Sequence, residues 1–341
     1  MLDLPRAHGG PVVAGRFRVS PDEFEVNESL KEPPSGAGVH TLLHVEKVGQ
    51  NTAWVARWLA ESAGCRDRDV GYCGLKDRHA RTTQWFSVPV ALGRDTLVAP
   101  EGVRVLERVP HHRKLRLGAH SANRFRIRLH VDGELASVMD RCEQVRTEGC
   151  PNWFGAQRFG RGGANLARAR SWFARGGRAR PDQRRHWLSA ARAEVFNRYL
   201  AGRVAAGNWS EALPGDILNL DGSGSVFLCE AVDPSIVDRV VTWDVHPTGP
   251  LWGRGEAVRG SDHAARERAR LTAHGDLLDG LERAGLRAER RPLRLRPHDL
   301  QADADPRSST VWLEFSLRPG QFATAVLHEL GMFSDAALID T

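Results

Sequence analysis

Residues 71–86 read GYCGLKDRHARTTQWF. A single carboxylate, Asp77, stands there among Lys76, Arg78, His79 and Arg81, with no second acid in the segment. Gly71 and Gly74 mark a turn-rich loop. The stretch TTQWFSVPV (82–90) has the β-branched and aromatic content of a strand leaving it. An arbitrary Lys-Asp-Arg triplet is most simply a salt-bridged turn. The chemical alternative is a covalent nucleophile: an ionised aspartate, kept ionised by flanking cations, that attacks a sugar carbon or an activated ring without a metal. The rest of the chain decides between them.

Outward from this loop the pattern is α+β. Trp54, Val55, Trp58, Leu59 and Ser62 share one helical face over 51–63, and Gly64 closes the end. A second helix is expected over 134–148, with Gly149 following. Between them, residues 104–130 hold eight Arg or Lys and one acid, Glu107. Within that stretch Arg124-Phe125-Arg126-Ile127-Arg128-Leu129 alternates strictly, so a strand would bury three apolar side chains and turn three guanidinium groups the other way. That outer face is either solvated or covered by an anionic partner. Arg16-Phe17-Arg18-Val19 repeats the pattern near the N-terminus.

After Pro151 the character changes. NWFGAQRFGRGGAN (152–165) is aperiodic, ARGGRARPDQRRHW (174–187) reads as a basic loop, and an amphipathic helix is expected over 187–204. ILNLDGSGSVFL carries a hairpin signal at Asp-Gly. A charged helix over 263–284 is followed by six arginines between Arg283 and Arg296. ADADPRSS (302–309) reads as a linker, TVWLEFSLRPG as a strand, and QFATAVLHELG as a short helix closed by Gly331. A second module over roughly 157–290 is inferred, with no internal repeat.

The composition, 41% hydrophobic and 26% charged, is that of a soluble globular protein. No apolar run reaches the roughly 18 residues of a membrane span, and no signal peptide is read at the N-terminus. Five cysteines without CxxC or Cys/His spacing argue for reduced cytosolic thiols and against a zinc site. The formal charge of +6 permits a polyanionic partner. Only four of the 48 cationic side chains are lysines, a bias that a GC-rich genome explains. There is no GxxxxGK[ST] phosphate loop. FGRGGAN lacks the GxGxxG register, no HExxH occurs, and His111 and His112 are adjacent and do not face one metal from a regular strand.

The segment GLKDRHARTTQ (74–84) resembles the signature of the TruD family of tRNA pseudouridine synthases. Three further segments agree in the family's order: RVSPDEFEVNE (18–28), PNWFGAQRFG (151–160) and LRPGQFATAVLHEL (317–330). KLRLG (114–118) and WLSAAR (187–192) match as well. The resemblance covers nearly the whole chain.

The resemblance implies a pseudouridine-synthase α+β catalytic domain with a mixed or antiparallel sheet, formed by 1–156 and 291–341. It implies an inserted α+β TRUD domain over 157–290, and a basic cleft between the two. It implies isomerisation of uridine to pseudouridine in tRNA, at position 13 of the D arm, with no cofactor, metal, membrane or protein partner, in the cytoplasm. Asp77 falls on the family's catalytic aspartate, and Arg18 on the basic residue that pairs with it, where many relatives have Lys. Phe24 and Phe154 match aromatics near the target base, although Phe24 equally suits a core strand. Asn152 falls on an Asn whose amide meets the uracil edge or orients Asp77, and otherwise forms a turn after Pro151. Phe322 falls on a C-terminal aromatic of the active site, or is the first core residue of the last helix. Lys76 and Arg78 read as phosphate or loop-fixing contacts, and Gln84 as structural. Two rivals remain at this point: a non-catalytic RNA-binding module, and an N-glycosidase that leaves an abasic site.

Overall fold

The computed structural model describes residues 4–89, 97–256, 258 and 262–338. The chain divides into two compact units. One comprises residues 11–147, 297–323 and those from 330 onward, and the other residues up to 10, 148–296 and 324–329.

The first of these is built on a ten-stranded mixed sheet. Its main path runs His298–Asp305, Thr310–Leu317, His120–Asp132, Phe24–Leu30, Arg81–Val88, His40–Lys47, Val103–His111. Most neighbours are antiparallel, but Phe24–Leu30 runs parallel to Arg81–Val88. A short strand, Ala14–Phe17, lies antiparallel to His120–Asp132 and parallel to Met332–Asp335. Gly71–Tyr72 pairs with Arg81–Val88 and leads into the 73–80 loop. The helix Thr52–Ala63 forms where its apolar spacing placed it. Asn51 caps it by accepting from the Trp54 amide, and Gly64 ends it in a left-handed conformation. Its Val55, Ala56, Leu59 and Ala60 pack on Leu43, Val45, Phe86 and Val88 of the sheet. The second expected helix is Leu135–Glu148. The strand expected over 82–90 ends at Val88, before Pro89, and Val90 lies outside the described residues.

Three expectations change here. Residues 302–309 are not a linker. They belong to the strand His298–Asp305 and the turn joining it to Thr310–Leu317. This strand ends the sheet path, so its acidic side chains face solvent and only Leu300 is deeply buried. The arginine face of His120–Asp132 is matched from within the chain: Arg124 and Arg126 pair with Glu314, Arg126 with Glu25, and Arg128 with Glu23. Trp312 lies under Arg126, with the guanidinium 4.0 Å from its ring centre. Two acids of the neighbouring strands, Glu25 and Glu314, and one of the adjoining turn, Glu23, thus take the place of an external anion. Third, Arg18 does not continue the alternation of Arg16 and is buried.

The other unit holds a four-stranded sheet, Val226–Leu228, Ile217–Leu220, Val245–Leu251 and Glu289–Pro292, all pairs antiparallel. The expected hairpin forms its first two strands. The helix expected over 187–204 is longer, Pro181–Ala205, because Pro181 sits at the first helical position and absorbs part of the basic stretch. Ahead of it lies an unexpected helix, Ala164–Arg175, whose start was hidden by Gly160, Gly162 and Gly163. The expected 263–284 helix is broken into His263–Arg270 and Gly275–Arg283 at the weak helix formers Thr272, His274 and Gly275. Ala323–Leu330 is helical, and in this unit Glu329 accepts the amides of Ala7 and His8.

Gly15 sits in the short strand between two partners. A Cβ there would lie 2.1 Å from the His130 carbonyl oxygen and 3.0 Å from the Phe333 ring. Gly15→Ala is expected to destabilise the protein by about 1–3 kcal/mol, read as a lowered urea midpoint, whereas Gly10→Ala, with open space around it, should leave the midpoint close to wild type.

Candidate active site

The parallel register between Ala14–Phe17 and Met332–Asp335 places Phe17 opposite Asp335. The next residue, Arg18, has φ 58. That left-handed conformation is rare for a bulky side chain and costs on the order of 1–3 kcal/mol. It turns the guanidinium inward, where 2% of the residue is exposed. Nε donates to Asp335 Oδ1 at 2.9 Å, Nη2 donates to Asp335 Oδ2, and Nη1 donates to Asp77 Oδ2. One cation thus bridges two carboxylates, and its ring neighbours are Phe24 (5.3 Å) and Phe17 (5.8 Å).

Asp77 is the accessible end of this bridge, with 27% of its side chain exposed against 14% for Asp335. Its Oδ1 also accepts the His79 amide at 3.0 Å. Burial pushes the carboxyl pKa up. The Arg18 charge, the His79 amide and the Arg18 hydrogen bond together outweigh burial and hold it below the ordinary carboxylate value. For Arg18, burial pulls down, and the hydrogen bond and charge of Asp335 with the charge of Asp77 more than restore it. The pair is ionised at neutral pH.

The loop carrying Asp77 is pinned at successive residues. Gln84 donates to the Gly74 carbonyl at 3.2 Å, and the Lys76 amide donates to Thr52 Oγ1 at 2.8 Å. Thr52 in turn donates to Gln84 Oε1. Lys47, the last residue of His40–Lys47, is fully buried and donates from Nζ to the carbonyls of Asp77 and Gln50, both at 2.7 Å. Burial, opposed by the Asp77 charge and aided by Lys76, lowers its pKa to about 8. Arg78 is exposed, with Nε donating to the Gly49 carbonyl at 3.0 Å, while the Gly49 amide returns a bond to the Arg78 carbonyl. The Lys76 ammonium lies inside the loop, 2.5 Å from Glu28, with both groups buried.

Asp77, Arg18, Phe24, Lys76 and Arg78 therefore gather in one unit, and Phe322 belongs to the same unit, half-buried just ahead of the helix Ala323–Leu330. Phe24 is buried against Phe17 and Phe125. Asn152 and Phe154 gather in the other unit. The Asn152 amide donates to the Pro292 carbonyl at 2.9 Å and accepts from Arg291 at 2.5 Å. The Phe154 backbone is held at both N–H and C=O by the Asn197 side chain, each bond 3.0 Å. Arg291 lies 4.1 Å from its ring centre. Among the described residues no group of three His, Cys, Asp or Glu is arranged to hold a metal ion, and no helix is long and apolar enough to cross a membrane.

Sequence reasoning missed Asp335, Glu28, Thr52 and Lys47. Asp335 lies in FSDA, which carries no motif. Lys47 had a usable signal: two of the chain's four lysines, Lys47 and Lys76, sit at this loop. In an otherwise Arg-rich chain these two positions carry a compact ammonium that is buried in the fold.

A mixed-sheet unit presenting one ionised, partly exposed aspartate on a pinned loop, with a buried guanidinium behind it, is a candidate for a carboxylate-centred enzyme site. The family profile described as tRNA pseudouridine synthase D (TruD) matches residues 7–167 and 177–330. The chain is 45% identical to tRNA pseudouridine synthase D of Methylococcus capsulatus, covering 99% of this chain and 97% of that protein. It is 46% identical to that of Xanthomonas axonopodis pv. citri, covering 98% and 95%. Its fold is similar to a crystal structure described as tRNA pseudouridine synthase D (TruD) from Methanosarcina mazei, with TM-score 0.71, 18% identity, and 96% and 95% of the two chains covered. The chain belongs to the TruD family of tRNA pseudouridine synthases, which isomerise uridine to pseudouridine in tRNA.

Removing one partner of the buried Lys76–Glu28 pair leaves an uncompensated charge. Glu28→Gln should cost about 3–5 kcal/mol of unfolding free energy, and Glu28→Leu with Lys76→Met should recover much of that loss. The Asp77 carboxyl has a folded pKa below its unfolded value. Its stabilisation is present above the unfolded value of about 3.9 and is lost as pH falls through the folded one. Unfolding free energy measured from pH 6 to pH 2 should therefore fall less steeply in Asp77→Asn than in wild type.

Proposed function

We propose that this protein isomerises uridine 13 in the D arm of tRNA to pseudouridine, with Asp77 as nucleophile and Arg18 holding it ionised and oriented. The observation that carries the reading is the Arg18–Asp77 bridge, which leaves the carboxylate partly exposed on a loop fixed from several sides. The C1′–N1 bond of the uridine breaks, the uracil turns, and C1′ bonds to C5. The C5 proton leaves, and N1 gains a proton. Attack at C1′ and addition at C6 both use the same carboxylate. The base leaves the RNA stack to reach it, at a cost of a few kcal/mol that stacking and phosphate contacts offset.

In this reading Phe24, Phe154 and Phe322 serve the flipped base. Asn152 meets the uracil edge, Lys76 fixes the loop through its buried pair with Glu28, and Arg78 fixes the loop or meets phosphate. The catalytic domain comprises 1–156 and 291–341, and the inserted domain 157–290. The isomerase works in the cytoplasm, without cofactor, metal ion or protein partner.

The test uses unmodified tRNA labelled with tritium at uracil C5. Wild type should release label without strand cleavage or free uracil, with the product mapping to position 13. Asp77→Asn should lose activity roughly 10³-fold or more while still binding tRNA. Free uracil would instead indicate an N-glycosidase. Unchanged tRNA handling by Asp77→Asn would indicate a binding module.

A further inference from the structure

Lys47 ends the strand His40–Lys47, with Thr82 and Val103 opposite it on the two neighbouring strands. Its side chain is fully buried. Nζ donates to the carbonyls of Asp77 and Gln50, each at 2.7 Å, and reaches the Lys76 carbonyl at 3.5 Å. An ammonium has three N–H donors and no acceptor, so three carbonyls use it completely. Buried cations are usually paired with an anion, yet all of these acceptors are neutral backbone oxygens. The Gln50 carbonyl belongs to the turn that enters the helix Thr52–Ala63, and Thr52 of that helix accepts the Lys76 amide. One ammonium thus joins the end of a strand, the entry to a helix and the loop at Asp77 itself.

This junction depends on a proton. A neutral amine keeps two N–H donors and gains a lone pair, which repels a carbonyl oxygen at hydrogen-bond distance. Burial favours the neutral form, the Asp77 charge opposes it and the Lys76 charge assists it, which brings the pKa down to about 8. Other charges on the surrounding elements are engaged elsewhere. Lys76 is paired with Glu28, Glu46 with Arg81 and Arg104, and Arg57 with Asp67, while Glu61 and Arg78 are exposed. The ammonium is therefore the main form at pH 7 and is lost just above it.

We propose that Lys47 is a positioning residue for Asp77 and that it acts only as the ammonium: loss of its proton releases the Asp77 carbonyl, slackens the loop and slows the chemical step on the alkaline side. This rests on Asp77 being the nucleophile. It separates Lys47 from a residue that merely stabilises the fold, because its effect follows its own titration.

The test follows single-turnover tritium release from C5-labelled tRNA between pH 6 and pH 10, with tRNA affinity and melting temperature measured for each protein. The wild-type rate should fall above a pH of about 8. Lys47→Met should slow release at pH 7 by roughly 10–100-fold, keep tRNA affinity close to wild type, and show no fall near pH 8. A second measurement needs no variant to fold. The chain has only four lysines, Lys31, Lys47, Lys76 and Lys114, so carbon-13-labelled lysine signals of the wild-type protein are few enough to follow singly by NMR. One of them should titrate together with the wild-type rate. Folded Lys47→Met with a wild-type rate, or with the same alkaline fall, would overturn the proposal. A wild-type rate without a fall near pH 8, or a fall that no lysine signal follows, would overturn it as well. Failure of the isomerase reading is distinguishable, because wild type would then release no tritium at any pH.

Discussion

The Arg18 guanidinium, shared between Asp335 and Asp77, is the interaction on which the candidate site depends. Asp335 takes two of its donors and Asp77 one. A cation paired only with Asp77 would form a simple ion pair. Anchored by Asp335, it becomes a fixed positive support behind a carboxylate that remains partly open. Burial alone would favour the neutral acid, and the Arg18 charge with the His79 amide reverses that preference. The Asp77 carboxylate is therefore kept charged at neutral pH with one side accessible.

That arrangement explains why distant parts of the chain lie side by side. Arg18 follows the strand Ala14–Phe17, Asp335 ends the strand Met332–Asp335, and their parallel pairing brings the two side chains together. The left-handed backbone at Arg18 costs free energy, and the three hydrogen bonds of its side chain hold it there. Gly15, two residues from the end of the same strand, lets that strand lie close to His130. The Asp77 loop is fixed independently from the helix Thr52–Ala63, from Lys47 and from Gln84. Two separately anchored segments thus meet at one hydrogen bond, which is the preorganisation that the proposed nucleophilic role of Asp77 requires.

Much of this was legible in the sequence, and the limits have physical causes. The helix Thr52–Ala63 was readable because apolar spacing, an N-cap and a terminal glycine all agree. The alternation around Phe125, Ile127 and Leu129 correctly identified a half-buried strand. Its arginine face was ambiguous, because the acids that balance it, Glu314, Glu25 and Glu23, come from segments far away in sequence. Alternation placed Arg18 on an outer face, and one backbone rotation put it inside. Asp335 had no local signature, since its role depends entirely on register with the N-terminal strand. The acidic strand His298–Asp305 resembled a linker because a strand at the end of the sheet path buries little and tolerates polar residues. The Asp77 loop itself was readable because its chemistry is local.

The most direct test is a crystal structure of Asp77→Asn bound to unmodified substrate tRNA. The account predicts the target uridine turned out of its stack, with C1′ or C6 about 3–3.5 Å from the residue 77 side-chain oxygen and Arg18 still bridging to Asp335. A uridine that stays stacked, or whose sugar and base make no contact with residue 77, would contradict it.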